Sequence, residues 1–192
     1  DTYLEVAAAG LRLVAGTGIG ELGAAFDPLE ISVTTLSATA GAGGISLLES
    51  TDVTIDSVSV SVNRVAANAA TSAVIDAAQS DLTTTANGAI VLRTLAGGMT
   101  VNEGDADDTG VLAGGSGNIL LQAQGAAQNI TLNADVESGS GNITILAAGS
   151  VLQNADFATA GGTVDVEGTA GSVTMLDTAR TTSGGGAIRY QA

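Results

Sequence analysis

Polar and apolar residues recur in a fixed order through the last third of the chain, residues 117–192. The run Gly-Asn-Ile-Leu-Leu at residues 117–121 returns in related form at 141–145, 162–166 and 186–190. The first apolar positions of these copies are almost evenly spaced along the chain: Ile119, Ile143, Val164 and Ile188. Two further β-like phrases keep a similar period, with copies that begin at residues 128, 150 and 172 and at residues 134, 155 and 176.

Three short β-like phrases in a period of about 22 residues are typical of a solenoid, in which each repeat buries its apolar face against its neighbours. The sequence therefore predicts one all-β domain over residues 1–192, with eight or nine stacked coils and a length of roughly 40 Å at a spacing of ~4.8 Å. The recurring Ile and Val positions should form an internal ladder, and Asn118 should stack on Asn142 at a corner. A β-sandwich also has closely spaced strands, but it does not require phrases that recur in order at a fixed period.

The glycine phrase also recurs earlier in the chain, before Ile45 and before Ile90, with two irregular stretches around it. The interval from Ile45 to Ile90 includes an irregular segment, residues 57–87, and is interpreted as two periods, one of them degraded. The interval from Ile90 to Ile119 exceeds one period. This excess places an inserted loop at residues 103–110, where it can bulge out without disturbing the stack.

The composition favours a thin aliphatic core. Hydrophobic residues make up 45% of the chain, yet only two Tyr and two Phe are present and there is no Trp. A globular core usually draws on aromatic side chains, which bury ~150–250 Å² each. Stacked coils instead have room for small and branched aliphatic side chains. The 27 glycines suit the coil corners, where the backbone must turn tightly.

The chain is strongly acidic, with 20 Asp and Glu against five Arg, no Lys and no His, and a net charge of −15. Nucleic acids and anionic membranes are recognised by cationic side chains, so neither is an expected partner. No Cys is present, which excludes disulfides and thiolate metal sites. No run of 18 apolar residues occurs, so the sequence predicts no membrane-spanning segment.

Residues 141–151, Gly-Asn-Ile-Thr-Ile-Leu-Ala-Ala-Gly-Ser-Val, resemble the strand repeats of filamentous-haemagglutinin-type proteins, which are very large bacterial exoproteins and adhesins. Residues 13–20, 27–31 and 43–45 carry the same resemblance, which covers most of the chain and is weakest over 57–87. It implies a right-handed parallel β-helix, secretion to the cell surface, and a role as stalk, adhesin or matrix component. Such proteins have no shared catalytic residues to carry over to this chain.

The strongest polar cluster lies in the inserted loop and consists of Glu103, Asp105, Asp107 and Asp108. Alternating carboxylates in a glycine-bounded loop suit Ca²⁺, which takes six to eight oxygen ligands. Asp105, Asp107 and Asp108 are therefore candidate ligands, and calcium is the one candidate cofactor. The loop lacks the distal Glu of an EF-hand and the glycine-rich repeats of calcium-binding β-rolls, so a solvated loop is the alternative interpretation.

Two carboxylate pairs, Asp135 with Glu137 and Asp165 with Glu167, have the spacing that puts both members on one face of a strand. Neighbouring carboxylates can hydrolyse glycosidic bonds. However, sugar-binding subsites usually contain aromatic residues, which are scarce here, and the chain has no Lys or His for acid–base chemistry. We therefore expect no enzymatic activity and interpret both pairs as outward polar rows.

The functional hypothesis is a structural segment of an extracellular surface or filament protein. Open solenoid ends present unpaired backbone groups and apolar ladders, and neither end of this sequence resembles a polar cap. The expected partners are further coils of a longer chain or neighbouring copies stacked end to end. The alternative is an adhesin module that binds glycans or a host surface through one face or through residues 103–110, with calcium assistance. A polysaccharide-active enzyme is the third hypothesis.

Overall fold

The computed structural model describes residues 3–192 as an all-β fold with one 3-10 helix, Gly23–Ala25. The strands of the first half of the chain are β1 (Val6–Val14), β2 (Gly18–Ile19), β3 (Leu29–Ala40), β4 (Gly44–Glu49), β5 (Val53–Ile55), β6 (Ser61–Val65), β7 (Thr71–Ile75), β8 (Leu82–Thr84) and β9 (Ile90–Thr94). Those of the second half are β10 (Met99–Val101), β11 (Thr109–Ala113), β12 (Ile119–Ala123), β13 (Ile130–Leu132), β14 (Asp135–Ser138), β15 (Ile143–Ala147), β16 (Val151–Gln153), β17 (Phe157–Thr159), β18 (Val164–Gly168), β19 (Val173–Met175), β20 (Thr181–Thr182) and β21 (Ile188–Gln191).

Nineteen strands form one parallel sheet that winds into a β-solenoid of about seven turns with three faces. The first face consists of β2 and the start of β3, followed by β4, β9, β12, β15, β18 and β21. The second face consists of parts of β1 and β3, followed by β5, β10, β13, β16 and β19. The third face consists of the ends of β1 and β3, followed by β8, β11, β14, β17 and β20.

The predicted aliphatic ladder is confirmed on the first face. Ile119, Ile143, Val164 and Ile188 lie in register on successive strands. The column continues in the other direction with three further isoleucines: Ile90, Ile45 and Ile19. Every second residue of these strands points inward, which is why the inner positions are buried while their neighbours are partly exposed. Like side chains stacked on like side chains therefore form the core.

The interpretation of residues 45–90 as two periods was wrong. Ile45 pairs directly with Ile90, so one turn of the solenoid contains all of the residues between them. The irregular part folds out as an antiparallel hairpin, in which β6 pairs with β7 from Ser61 opposite Ile75 to Val65 opposite Thr71. The chain leaves the stack after β5 and rejoins it at β8.

Residue spacing at the corner between the second and third faces explains both long turns. At this corner the separation along the chain is four positions from Leu132 to Val136, ten from Val101 to Val111 and 27 from Ile55 to Leu82. The first residues of these three pairs nevertheless stack on one another, and so do the second residues. Without these extra residues, both long turns would have the same length as the turns in the last third of the chain. With them, the mean is roughly 25 residues per turn, and the chain forms about seven turns rather than eight or nine.

A column of glycines lies before the first face. Gly117, Gly141, Gly162 and Gly186 occupy equivalent positions in four successive turns, each two residues before an inward-facing residue of the ladder. A Cβ on Gly162 would lie 1.9 Å from the carbonyl oxygen of Gly141, and the other three would approach the glycine of the preceding turn to 2.0–2.1 Å. The backbones of adjacent turns are therefore too close at this corner to admit any side chain.

Asparagine side chains stack at two corners. The predicted pair is confirmed, because Nδ2 of Asn142 donates a hydrogen bond of 3.1 Å to Oδ1 of Asn118. A second column, between the second and third faces, links Asn154 to Asn133 at 2.7 Å and Asn133 to Asn102 at 3.0 Å. Each amide donates to the turn before it, so these columns tie neighbouring turns together outside the core.

The core becomes polar towards the last turn. Gln153 is fully buried in a column in which Leu132 and Val101 precede it and Met175 follows it. Its Nε2 donates to the carbonyl oxygen of Arg180 at 3.1 Å, and its Oε1 accepts the hydroxyl of Tyr190 at 2.6 Å. The last complete turn is thus partly closed by hydrogen bonds, a feature that the sequence did not predict.

Candidate metal centre

The inserted loop leaves the stack after β10 and returns at β11. Glu103 organises it, because one of its carboxylate oxygens accepts the backbone N–H groups of Asp105 at 2.7 Å, of Ala106, and of Asp107 at 3.2 Å. Ala106 and Asp108 both have positive φ angles, 78° and 69°. The loop is therefore a defined turn that its own first carboxylate holds in shape.

Asp105 and Asp107 lie beside Asp81, which precedes β8 at the end of the hairpin excursion. One carboxylate oxygen of each of these three residues lies within 4.8 Å of the other two. Calcium binds oxygen at 2.3–2.6 Å, so two ligands on opposite sides of one ion are about 4.8 Å apart. The three carboxylates therefore have a separation that a single calcium ion can bridge.

Asp108, the third ligand candidate from the sequence, is not a member of this group. Its carbonyl oxygen instead accepts the N–H of Asp135 at 2.8 Å and so joins the loop to the following turn. Sequence reasoning missed Asp81 because it lies far from Asp105 along the chain, beyond a complete stretch of regular strands. A usable signal was present, since Asp81 stands directly before the buried Leu82, as Asp135 stands directly before the buried Val136.

Asp81 is an unusual carboxylate because it is only 6% exposed. Its Oδ2 accepts the Ser80 hydroxyl at 2.9 Å, whereas its Oδ1 is buried and has no hydrogen-bond partner among residues 3–192. Burial raises the pKa of Asp81 to about 6; the Ser80 hydroxyl opposes the shift, and the negative charges of Asp105, Asp107 and Glu103 add to it. The site is therefore electrostatically suited to a cation.

The carboxylates at the same corner in later turns are satisfied differently. Oδ1 of Asp135 accepts the N–H of Asp156 at 2.8 Å, and Oδ1 of Asp156 accepts the N–H of Arg180, also at 2.8 Å. In each case the backbone of the next turn supplies the donor. Asp81 occupies the corresponding place one turn before the inserted loop, where no such donor reaches Oδ1.

The other carboxylate pairs lie on the outer surface. Asp165 and Glu167 both bind Arg189, with N–O distances of 2.7 Å to each carboxylate. Burial and then nearby carboxylates raise the pKa of Glu137, and burial is also the main cause of the raised pKa of Asp135. One pair is thus engaged by an arginine, and the other belongs to the acidic corner next to the inserted loop.

Comparisons with known proteins yield no relative. No family model, no curated protein and no solved structure matches this chain. The resemblance to filamentous-haemagglutinin-type repeats thus has no family match behind it, and the β-solenoid fold is the part of that resemblance that the structure supports. Over residues 3–192, no helix has the length and apolarity needed to cross a bilayer.

Proposed function

We propose that this chain is a structural segment of an extracellular surface or filament protein, and that its last turn stacks on a further solenoid turn, which a second copy of the chain can supply. The observation that carries the proposal is the exposure of Ile188. This residue is 44% exposed, whereas Val164 and Ile143, directly before it in the same ladder, are 1% and 0% exposed. One further turn would bury Ile188 as the other members of its column are buried.

Backbone groups at both ends support the same proposal. Among the described strands, β21 pairs on one side only, with β18, and at the other end β1 pairs only with β3. A strand edge with unpaired N–H and C=O groups is a template for another strand. Because all turns run parallel, the last turn of one copy and the first turn of the next would form a head-to-tail contact that can continue into a filament.

The partly polar last turn limits how strongly such ends attract one another. Tyr190 and Gln153 satisfy each other by a hydrogen bond, so the exposed apolar surface is a patch rather than a whole cross-section. Each copy also carries a net charge of −15, which opposes association. Salt screens that repulsion, since the Debye length falls from about 10 Å at 0.1 M to about 3 Å at 1 M. Stacking should therefore increase with ionic strength.

The test is sedimentation velocity and negative-stain electron microscopy of the 192-residue chain, at rising protein concentration and in 0.1 and 1 M NaCl. We expect rods longer than one chain, in greater number at 1 M NaCl. Ile188→Asp should abolish them, whereas Ile75→Asp, a matched change of a 78% exposed isoleucine on the hairpin, should not. Single-chain rods at every concentration and salt would contradict stacking of copies and would direct the search to a ligand on a flank.

A further inference from the structure

We infer that Asp81, Asp105 and Asp107 form a calcium site that fastens the inserted loop to the base of the hairpin excursion. This inference is independent of the proposed stacking, because the site lies on the flank of the solenoid and not at either end. One divalent ion would bind per chain and would hold these two segments together.

The first supporting observation is the shared position of three carboxylates from distant parts of the chain. Asp81 follows the hairpin, and Asp105 and Asp107 come from the inserted loop, yet an oxygen of each lies within 4.8 Å of the others. Three like charges at this separation repel one another strongly when one of them is buried. A divalent cation between them turns the repulsion into attraction.

The second observation is the unpartnered oxygen of Asp81. The residue is more than nine-tenths buried, and its Oδ1 accepts no hydrogen bond from any described residue. A buried carboxylate oxygen without a partner is costly and therefore rare in folded proteins. Because Oδ2 already accepts the Ser80 hydroxyl, Oδ1 is the oxygen that remains for an ion.

The reason for this orphaned oxygen lies in the turn that follows. At the equivalent corners, Asp135 and Asp156 each accept a backbone N–H of the next turn at 2.8 Å. Val111 stacks on Leu82, the residue after Asp81, and the register of β11 against β14 shifts between Thr109 and Val111, where the inserted loop rejoins the stack. At this corner no amide of the next turn donates to Oδ1 of Asp81, and the inserted loop brings two carboxylates close to it.

Close packing holds the two segments together at this point. A Cβ on Gly104 would lie 2.6 Å from Cβ of Ser80 and 2.9 Å from the backbone nitrogen of Ser57, so the loop backbone rests on both ends of the hairpin excursion. Glu103 is already used by loop amides, and Oδ1 of Asp107 accepts the N–H of Thr109 at 2.9 Å. Each side of the site is therefore shaped before an ion binds.

No protein cation neutralises the three carboxylates within the described part of the chain. The arginine ion pairs there lead to Asp76, Asp165 and Glu167. The sequence contains no Lys and no His. A solvent cation is the remaining counter-charge, and calcium suits the site better than magnesium, because it accepts irregular oxygen shells completed by water, whereas magnesium demands near-ideal octahedral geometry.

The test is isothermal titration of EDTA-treated, then desalted, 192-residue chain with CaCl₂ in 150 mM NaCl, alongside the thermal midpoint. We expect one site per chain with a Kd in the order of 10⁻⁵–10⁻³ M, and a higher midpoint with calcium. Asp81→Asn and Asp105→Asn should each weaken binding at least about tenfold. Asp108→Asn is the matched control, because it removes the same charge from the same loop and should change the Kd less than about twofold.

A second readout reports the position of the ion. Glutamyl endopeptidase cleaves after Glu103, inside the loop, and calcium should slow that cleavage, whereas cleavage after the exposed Glu21 should be unchanged. Three results would overturn the inference: no binding at 10 mM CaCl₂, equal weakening by Asp81→Asn and Asp108→Asn, or equal protection after both glutamates. The last two would indicate a diffuse cation atmosphere around an acidic surface. Circular dichroism of each variant verifies that the solenoid is folded.

Discussion

Ile90 stacks directly on Ile45 in parallel register, although the two residues are far apart in the chain. Most of the intervening length leaves the stack as the hairpin of β6 and β7 and returns to the same corner. Solenoid turns are therefore defined by which side chains stack and not by how many residues lie between them. The corner between the second and third faces accepts both a 27-position and a four-position connection, Ile55 to Leu82 and Leu132 to Val136.

This relationship predicts that the hairpin is dispensable for the fold. Replacing residues 57–80 with a single alanine would give Ile55 and Leu82 the same spacing as Leu132 and Val136. The shortened chain should keep its β-sheet circular dichroism and cooperative unfolding. Its thermal midpoint should fall by less than about 10 °C, chiefly because Val58, now 5% exposed, no longer covers β1. Loss of cooperative unfolding would show that the excursion is part of the core.

The glycine column predicts a sharp contrast between neighbouring residues. Gly162→Ala would place a Cβ 1.9 Å from the carbonyl oxygen of Gly141 and should destabilise the fold by about 2–3 kcal/mol or more, because the backbones must separate. Gly161→Ala meets no atom within 4 Å and should change the free energy of unfolding by less than about 0.5 kcal/mol. Urea denaturation of both variants measures the difference. Equal effects would contradict close packing of the backbone at this corner.

The hydrogen bond between Gln153 and Tyr190 predicts coupling at the last turn. Gln153→Ala should cost about 2–4 kcal/mol, since it leaves a cavity and removes several part-buried hydrogen bonds. Tyr190→Phe should cost about 1 kcal/mol on its own. It should cost less in the Gln153→Ala background, because the Tyr190 hydroxyl then keeps only its hydrogen bond with Oγ1 of Thr181. A double-mutant cycle on urea unfolding measures this coupling, and strict additivity would contradict it.

The acidic corner predicts a pH dependence of stability. Burial, followed by the charges of Asp135, Asp107 and Asp156, raises the pKa of Glu137 in the folded state. Between the unfolded pKa, about 4.3, and the raised folded value, the unfolded chain has lost its proton while the folded chain keeps it. Raising the pH through this range therefore favours unfolding, and the stabilisation from protonated Glu137 is present only at lower pH.

Glu137→Gln tests this pH dependence because glutamine does not ionise. The free energy of unfolding in EDTA, variant minus wild type, should increase as the pH rises from about 4 and become constant above the folded pKa. Glu21→Gln, at an exposed position, serves as the charge-matched control. A difference for Glu137→Gln that does not change with pH would contradict the raised pKa.

Regular positions of the fold were predictable from single residues. The spacing of Ile119, Ile143, Val164 and Ile188 identified stacked coils, and Asn118 identified its partner Asn142. In these turns every connection is short, so sequence distance and spatial distance keep a constant ratio. The same rule failed from Ile45 to Ile90, because a long excursion and an extra coil have the same length in sequence.

The candidate site was only half predictable for a related reason. Asp105 and Asp107 are neighbours in an acidic loop and are visible as a cluster. Asp81 is a lone carboxylate at the end of an irregular segment, and its position before the buried Leu82 indicates the corner of the solenoid but not that the loop folds onto it. Asp108 appeared equivalent to the other loop acids, yet its positive φ and the hydrogen bond from Asp135 assign its backbone to the next turn.

By itself the sequence determined a parallel solenoid with an aliphatic core. Similar side chains stack on one another in successive turns, so they recur periodically along the chain, and this periodicity can be recognised in the sequence. Tertiary structure alone decided which turns carry excursions, where their ends meet, and which buried oxygen lacks a donor. These features depend on the register between neighbouring turns. That register is set by the packing of all the stacked strands together and not by any one segment. Only in the folded solenoid does the carboxylate of Asp81 lie beside Asp105 and Asp107 with one oxygen that accepts no hydrogen bond from a described residue.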